Sequence, residues 1–186
     1  IFRSEIAPED VRTILRWADA CAPHWCVGLE VEDELYLNRA TQKPGHYTVT
    51  DLWQLCDRPA AKVLFLFSDG RDDLAPLLAM IPPSTRVLIS PKFSLVQVCG
   101  QQTNKANALA FLLQRWGRTF ADVIAIGDDV NDLELVQQAG IGIAVANSVP
   151  ELLTLADWVT AANEEDGVAR AIDRLLESVS RWGQEK

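Results

Sequence analysis

From residue 101 onward the sequence alternates, with hardly a break, between short apolar runs and stretches whose apolar residues recur on one helical face. The pattern predicts helix over 103–116, strand over 122–126, helix over 131–139, strand over 141–145, helix over 148–155, strand over 157–160 and helix over 166–181. Strands separated each time by a helix, with short connections, are laid side by side in parallel and covered by those helices. Both faces of such a sheet are buried, so its strands read as unbroken apolar runs, as "ADVIAI" and "IGIAV" do.

Residues 1–100 lack that rhythm. Pro8, Glu9 and Asp10 open a helix over 8–21 whose Val11, Ile14, Leu15 and Ala18 share one face, and Pro23 stops it. Val27, Leu29 and Val31, then Leu35 and Leu37, alternate around the polar Glu32-Asp33-Glu34 and predict a hairpin over 25–37. A loop over 38–50, a strand over 61–67, a short helix over 74–81 and strands over 85–90 and 93–99 complete a small α+β module. The change of rhythm sets a domain boundary near residue 100, giving domains over 1–100 and 101–186.

The chain of 186 residues carries 26 acidic against 17 basic residues, and the basic ones are scattered, which argues against a nucleic-acid partner. No stretch approaches the roughly 20 apolar residues of a membrane span, and "IFRSEIAPED" has neither the basic flank nor the apolar centre of a signal peptide, so a cytoplasmic location is expected. Cysteines at 21, 26, 56 and 99 show no CxxC spacing, in keeping with a reducing compartment. Around Cys21, His24 and Cys26 no fourth zinc ligand is evident, and Trp25 marks the start of a packed strand. Trp17, Trp116 and Trp182 on amphipathic helices and Trp158 on a strand are expected to serve packing.

"GDDVND", residues 127–132, stands where the strand "ADVIAI" ends, and in open α/β sheets the carboxyl ends of the strands are where ligands bind. Asp128, Asp129 and Asp132 repel one another there, an arrangement that a divalent cation or a lysine makes favourable. Hard oxygen donors at such a mouth suit Mg²⁺, which takes one or two carboxylates and keeps water or phosphate oxygens as its other ligands. Capping of the following helix is the alternative, since Asp and Asn are favoured at and just after a helix start. Capping accounts for one or two of these side chains, not for the whole string.

Lys105 supplies a counter-charge. It opens the helix over 103–116, and the next strand runs back along that helix, so the strand's end returns close to the helix's start. About 12 helical residues at 1.5 Å and about 5 extended ones at about 3.3 Å each travel roughly 17 Å. A cation, a helix amino end and a carboxylate cluster thus converge on one spot, which is able to hold a phosphoryl group bridged to Mg²⁺.

With those residues in view, "GDDVND" resembles the fourth motif of the haloacid dehalogenase (HAD) superfamily of Mg²⁺-dependent phosphohydrolases, and "NKANAL" (104–109) resembles its third. Within it, "AGIGIAVANSVPELLTLADWVTAANEEDGVARAI" is similar to the tail of the Cof-like sugar-phosphatase group, which carries a large inserted cap. The likeness is strong over 101–175 and loose over 1–100. It implies an α/β fold: a partial doubly wound parallel sheet, the C-terminal part of a Rossmann-like core over 101–186, with an α+β cap domain over 1–100. It also implies Mg²⁺ as cofactor and a small phosphorylated metabolite as substrate. Carried over residue by residue, Asp128 is a direct Mg²⁺ ligand, Asp132 supports the metal site, Asn131 contacts phosphate or orients the loop, and Lys105 is the catalytic lysine that ties phosphate to the nucleophile. Asp129 stands where the family often has Gly, Asn or Ser and is not expected as a ligand.

One departure bears on chemistry. The family begins with a DxDGT-type motif whose first Asp attacks phosphorus and whose second is general acid and base. No Asp-x-Asp occurs in these residues, and "FSDGRDD" (67–73) falls within the cap with the wrong second residue. The expectation is therefore that a leading part of a typical member lies outside this chain and that these residues alone are inactive. The strand 122–126 would then keep a bare apolar edge, and self-association through that edge, or cover by a swapped or upstream element, is expected. The alternative is a catalytically dead remnant that serves as a binding module. The phosphorylation domain of a P-type cation pump shares the "GDxxND" logic but needs membrane helices after the loop, where this chain continues into a polar helix. Arg71, Lys62 and His46 are candidates for facing a substrate from the cap, and as surface residues equally for solvation.

Overall fold

The computed structural model describes residues 4–42, 45–67, 73–90 and 94–184, with 179–184 as backbone. The chain divides into two compact units, Ile1–Thr103 and Asn104–Lys186.

In the first unit, α1 (Pro8–Cys21) takes its start from Pro8 in its first turn, with Glu9 and Asp10 complementing the helix dipole. The hairpin β1 (Cys26–Val31) and β2 (Glu34–Leu37) follows, then β3 (Thr48–Val49), β4 (Lys62–Leu66), α2 (Ala75–Met80), β5 (Thr85–Ser90) and β6 (Leu95–Gly100). The strands form one sheet in the order β3-β2-β1-β4-β6-β5, antiparallel except for the β2–β3 pair. Period-two alternation puts Val27, Leu29, Val31, Val63, Phe65, Val96 and Val98 into one core with Val11, Ile14, Leu15 and Ala18 of α1. Trp17, Trp25 and Phe65 meet edge to face there, with ring centroids 5.9–6.3 Å apart.

Two details departed from the sequence pattern. The β1–β2 turn is Glu32-Asp33, both with positive φ (53° and 67°), a mirror-image turn that usually draws on Asn and Gly. Its twist matches the flanking strands, which is why the pairing Val31↔Glu34 closes without slack. Within the expected loop over 38–50, Thr48–Val49 adds a short parallel strand, which is too brief to leave a periodic signal.

The second unit is the alternating one. Its elements are α3 (Lys105–Trp116), β7 (Ile124–Gly127), α4 (Leu133–Gln138), β8 (Ile141–Val145), α5 (Pro150–Leu155), β9 (Trp158–Thr160) and α6 (Gly167–Gln184). The sheet runs β7-β8-β9, all parallel, and Ala125, Val136, Ala144 and Leu152 form the buried contact between the sheet and helices α4 and α5. Gly117, at φ 63°, ends α3 with its amide bonded to the carbonyls of Leu113 and Gln114. Where sequence periodicity predicts one helix over 131–139, a 3₁₀ turn (Val130–Asp132) precedes the α-helix, because Asp129 caps that turn through Val130 N–H.

Among the described residues β7 pairs only with β8, and Ile124 on it is 48% exposed. Val168, Ile172 and Leu176 of α6 are exposed as well. Trp116 is a correction to the packing expectation, for the residue is 63% exposed. Trp158 is half-buried under the Arg174 guanidinium, 4.4 Å from the ring centroid. No helix among the described residues is long and apolar enough to cross a membrane.

Close packing of α4 on the sheet depends on Gly142, where a Cβ would lie 2.4 Å from the Val136 carbonyl oxygen and 2.8 Å from its Cγ1. Gly142→Ala is therefore expected to destabilise the protein by about 1–3 kcal/mol, as overpacking does, read from the urea midpoint at unchanged slope.

Candidate active site

The site is built at the carboxyl end of β7. Four-residue β7 delivers Gly127 to the sheet's mouth, and the loop that follows turns at once into the Val130–Asp132 turn, which swings Asp132 back over the strand it has just left. Asp132 is bonded on both of its carboxylate oxygens. Its Oδ1 accepts from Lys105 Nζ at 2.5 Å, and its Oδ2 accepts from the backbone N–H groups of Asp128 at 3.1 Å and Asp129 at 3.4 Å. The Asp132 side chain is 7% exposed, so each of these bonds replaces water that cannot reach it.

Gly127 makes this possible. A Cβ there would stand 2.5 Å from Asp132 Cβ and 2.9 Å from its Cγ, so any other residue pushes the carboxylate off its seat. Lys105 is placed by the start of α3: Asn104 caps the helix by accepting from Asn107 N–H at 2.6 Å, which fixes Lys105 as its first residue. The lysine side chain is 49% exposed, so an ammonium bonded to the buried carboxylate keeps part of itself in contact with solvent.

Asp128 is half-buried, and Asp129 is 7% exposed and taken up by capping. Asn131 is half-buried, and its side-chain amide has no hydrogen-bond partner within the chain among the described residues. Lys105, Asp132 and the amides of Asp128 and Asp129 are thus brought together, with Asn131 one residue before Asp132 in the same turn.

Of the remaining candidates, Lys62 is paired with Glu30 at 3.2 Å, His46 is exposed, and Arg71, with the middle of "FSDGRDD", lies outside the described residues. Cys21, Cys26, Cys56 and Cys99 form no disulfide, and no group of three or more His, Cys, Asp or Glu able to hold a metal occurs among the described residues. The donor set at the β7 mouth, a half-buried Asp128 carboxylate beside an Asp132 already bonded on both oxygens, fits Mg²⁺, which takes only one or two carboxylates. What sequence reading missed is the turn between β8 and α5. There Ser148 Oγ lies 3.2 Å from the Gly127 carbonyl oxygen, and Val149 N–H donates to the Asp128 carbonyl at 3.0 Å. The only trace in sequence is a small hydroxyl residue two places before Pro150, which reads as an ordinary helix start.

A parallel α/β sheet with an acidic loop at its carboxyl edge and a lysine set against that loop defines a class of ligand-binding α/β proteins. The profile described as haloacid dehalogenase-like hydrolase matches residues 1–172, and the chain belongs to that family. The Bacillus subtilis protein YxeH is 34% identical over 152 residues, which are 78% of this chain and 54% of that protein. A phosphoglycolate phosphatase of Methanothermobacter thermautotrophicus is 43% identical over 81 residues, 44% of this chain and 37% of its own length. The crystal structure of a haloacid dehalogenase-like hydrolase from Bacteroides thetaiotaomicron superposes with a TM-score of 0.73 at 25% identity, covering 94% of this chain and 69% of that one. The chain therefore spans about half the length of YxeH and less of the archaeal phosphatase.

Removing the buried acceptor tests the architecture. Asp132→Ala leaves two backbone donors and an ammonium without their partner and is expected to cost about 1–3 kcal/mol. The loss should appear as a lower thermal midpoint together with faster exchange of the Asp128 and Asp129 amides.

Proposed function

We propose that this chain serves the Mg²⁺-dependent hydrolysis of phosphate monoesters on small phosphorylated metabolites, sugar phosphates among them. The observation that carries the reading is the 2.5 Å contact between Lys105 Nζ and Asp132 Oδ1 at the carboxyl end of β7. It gathers cation, carboxylates and sheet mouth at one point, and the family likeness runs through the same residues.

In this reading Asp128 holds the ion with its carboxylate, and Asp132 supports the site by fixing the loop. Mg²⁺, when bound, supplies positive charge against the phosphoryl oxygens. Lys105 donates one proton to Asp132 and directs others at a phosphate oxygen; held beforehand by a buried carboxylate, it needs little rearrangement to stabilise charge that develops there. The Asn131 amide, with no partner inside the chain among the described residues, is the donor for a further phosphate contact. Residues 1–103 serve as the cap that selects the substrate, and residues 104–186 as part of the catalytic core.

None of the loop's acids is available as the attacking carboxylate: Asp132 is bonded on both oxygens, Asp129 caps the turn, and Asp128 is assigned to the metal. The 186 residues by themselves, which contain no Asp-x-Asp, are accordingly read as the metal- and phosphate-holding part of the reaction and not as a complete catalyst.

Calorimetric titration with Mg²⁺ tests the site directly. Wild-type protein is expected to bind, and Asp128→Asn to lose at least about tenfold in affinity. Equal affinities would remove Asp128 from the site. Incubated with p-nitrophenyl phosphate and Mg²⁺, the 186 residues are expected to show no turnover above buffer, and enzyme-like turnover would sink the assignment of roles among the acids.

A further inference from the structure

The peptide groups on either side of the Asp128 Cα are held from both ends. Their N–H groups, those of Asp128 and Asp129, donate to Asp132 Oδ2. Their carbonyls, those of Gly127 and Asp128, face the turn between β8 and α5, where Ser148 Oγ is 3.2 Å from the first and Val149 N–H donates to the second at 3.0 Å. Ser148 Oγ also lies 2.6 Å from the Val145 carbonyl, so its single proton is divided between two acceptors, the nearer within its own turn. Ser148 is 9% exposed, and water does not stand in for it.

The turn is itself anchored. Ser148 N–H donates to the Val145 carbonyl at 3.0 Å, Ala146 N–H to the Ala161 carbonyl at 3.4 Å, and Asn163 N–H to Asn147 Oδ1 at 3.1 Å. Two fixed peptide planes determine where the Cα–Cβ bond between them points, because the two backbone dihedrals at that residue are then set. We propose that Ser148 and Val149 are positioning residues for Asp128, which set the direction in which its carboxylate leaves the backbone. They touch neither ion nor substrate. The proposal rests on the reading above in which Asp128 holds Mg²⁺, and outer residues that orient a metal ligand are typically worth tenfold or more in metal affinity.

The test compares Mg²⁺ titrations of wild type, Ser148→Ala, Ser148→Thr and Val149→Pro with amide exchange measured on the same proteins. Proline suits the φ of −62° at Val149 and removes the donor. Ser148→Ala is expected to weaken Mg²⁺ binding by about tenfold, Ser148→Thr to recover most of that loss, and Val149→Pro to weaken binding at least as much as Ser148→Ala. Faster exchange should be confined to the Asp128 and Asp129 amides. Wild-type affinity and unchanged exchange in Ser148→Ala would overturn the proposal, whether or not Val149→Pro folds. Exchange raised evenly along β7, β8 and β9 would overturn it too, by showing a merely structural role. Should wild-type protein bind no Mg²⁺, the functional reading fails, and the exchange pattern still decides whether the turn positions Asp128.

Discussion

A carboxylate buried to 7% exposure cannot be left unpaired, and the second unit is arranged around meeting that demand for Asp132. Three donors answer it: an ammonium from the first residue of α3 and two amides from the loop that leaves β7. The same bonds give the loop its shape, since Asp132 folds back onto the amides that precede it and in doing so closes the turn that begins α4. Charge pairing, loop closure and helix initiation are one event here. Burial of the pair is unequal, with Lys105 49% exposed, so part of the ammonium stays hydrated while the carboxylate is enclosed. That asymmetry keeps the desolvation penalty on one partner and leaves the other reachable by a ligand.

The parallel sheet places this cluster where it can act. All three strands point their carboxyl ends the same way, so the loop after β7 and the turn after β8 lie along one edge, and the second can brace the first. Chain neighbours alone do not build such a site. The residues that bond to one another around Asp128 come from α3, the loop after β7 and the start of α5, segments brought into register by the sheet.

Much of this was readable beforehand, for identifiable reasons. Long periodic stretches such as Val11–Ile14–Leu15–Ala18 and runs such as "IGIAV" announced their elements, because burial of one face or both leaves a repeating mark. The approach of Lys105 to the acid loop followed from equal travel along a helix and the strand that returns beside it. Three things left no such mark. The two-residue strand Thr48–Val49 is shorter than any period, the 3₁₀ turn before α4 is set by reciprocal caps between Asp129 and Asp132 that a helical period does not register, and the brace beside Asp128 joins the Ser148 hydroxyl to a Val149 backbone amide that carries no sequence identity. Trp116 stands exposed, which a helical stripe does not reveal: it shows which residues share a face, not whether anything covers it.

The seat of Asp132 over Gly127 has a further consequence, for the way such a site changes over generations. With a Cβ at residue 127 only 2.5 Å from Asp132 Cβ, the seat of the acid is inherited with the glycine. A lineage that replaces the glycine displaces the acid in the same step and uncouples the lysine from its partner. Drift at residue 127 is therefore tied to the acid's position, whereas the acid itself can change above an unaltered glycine.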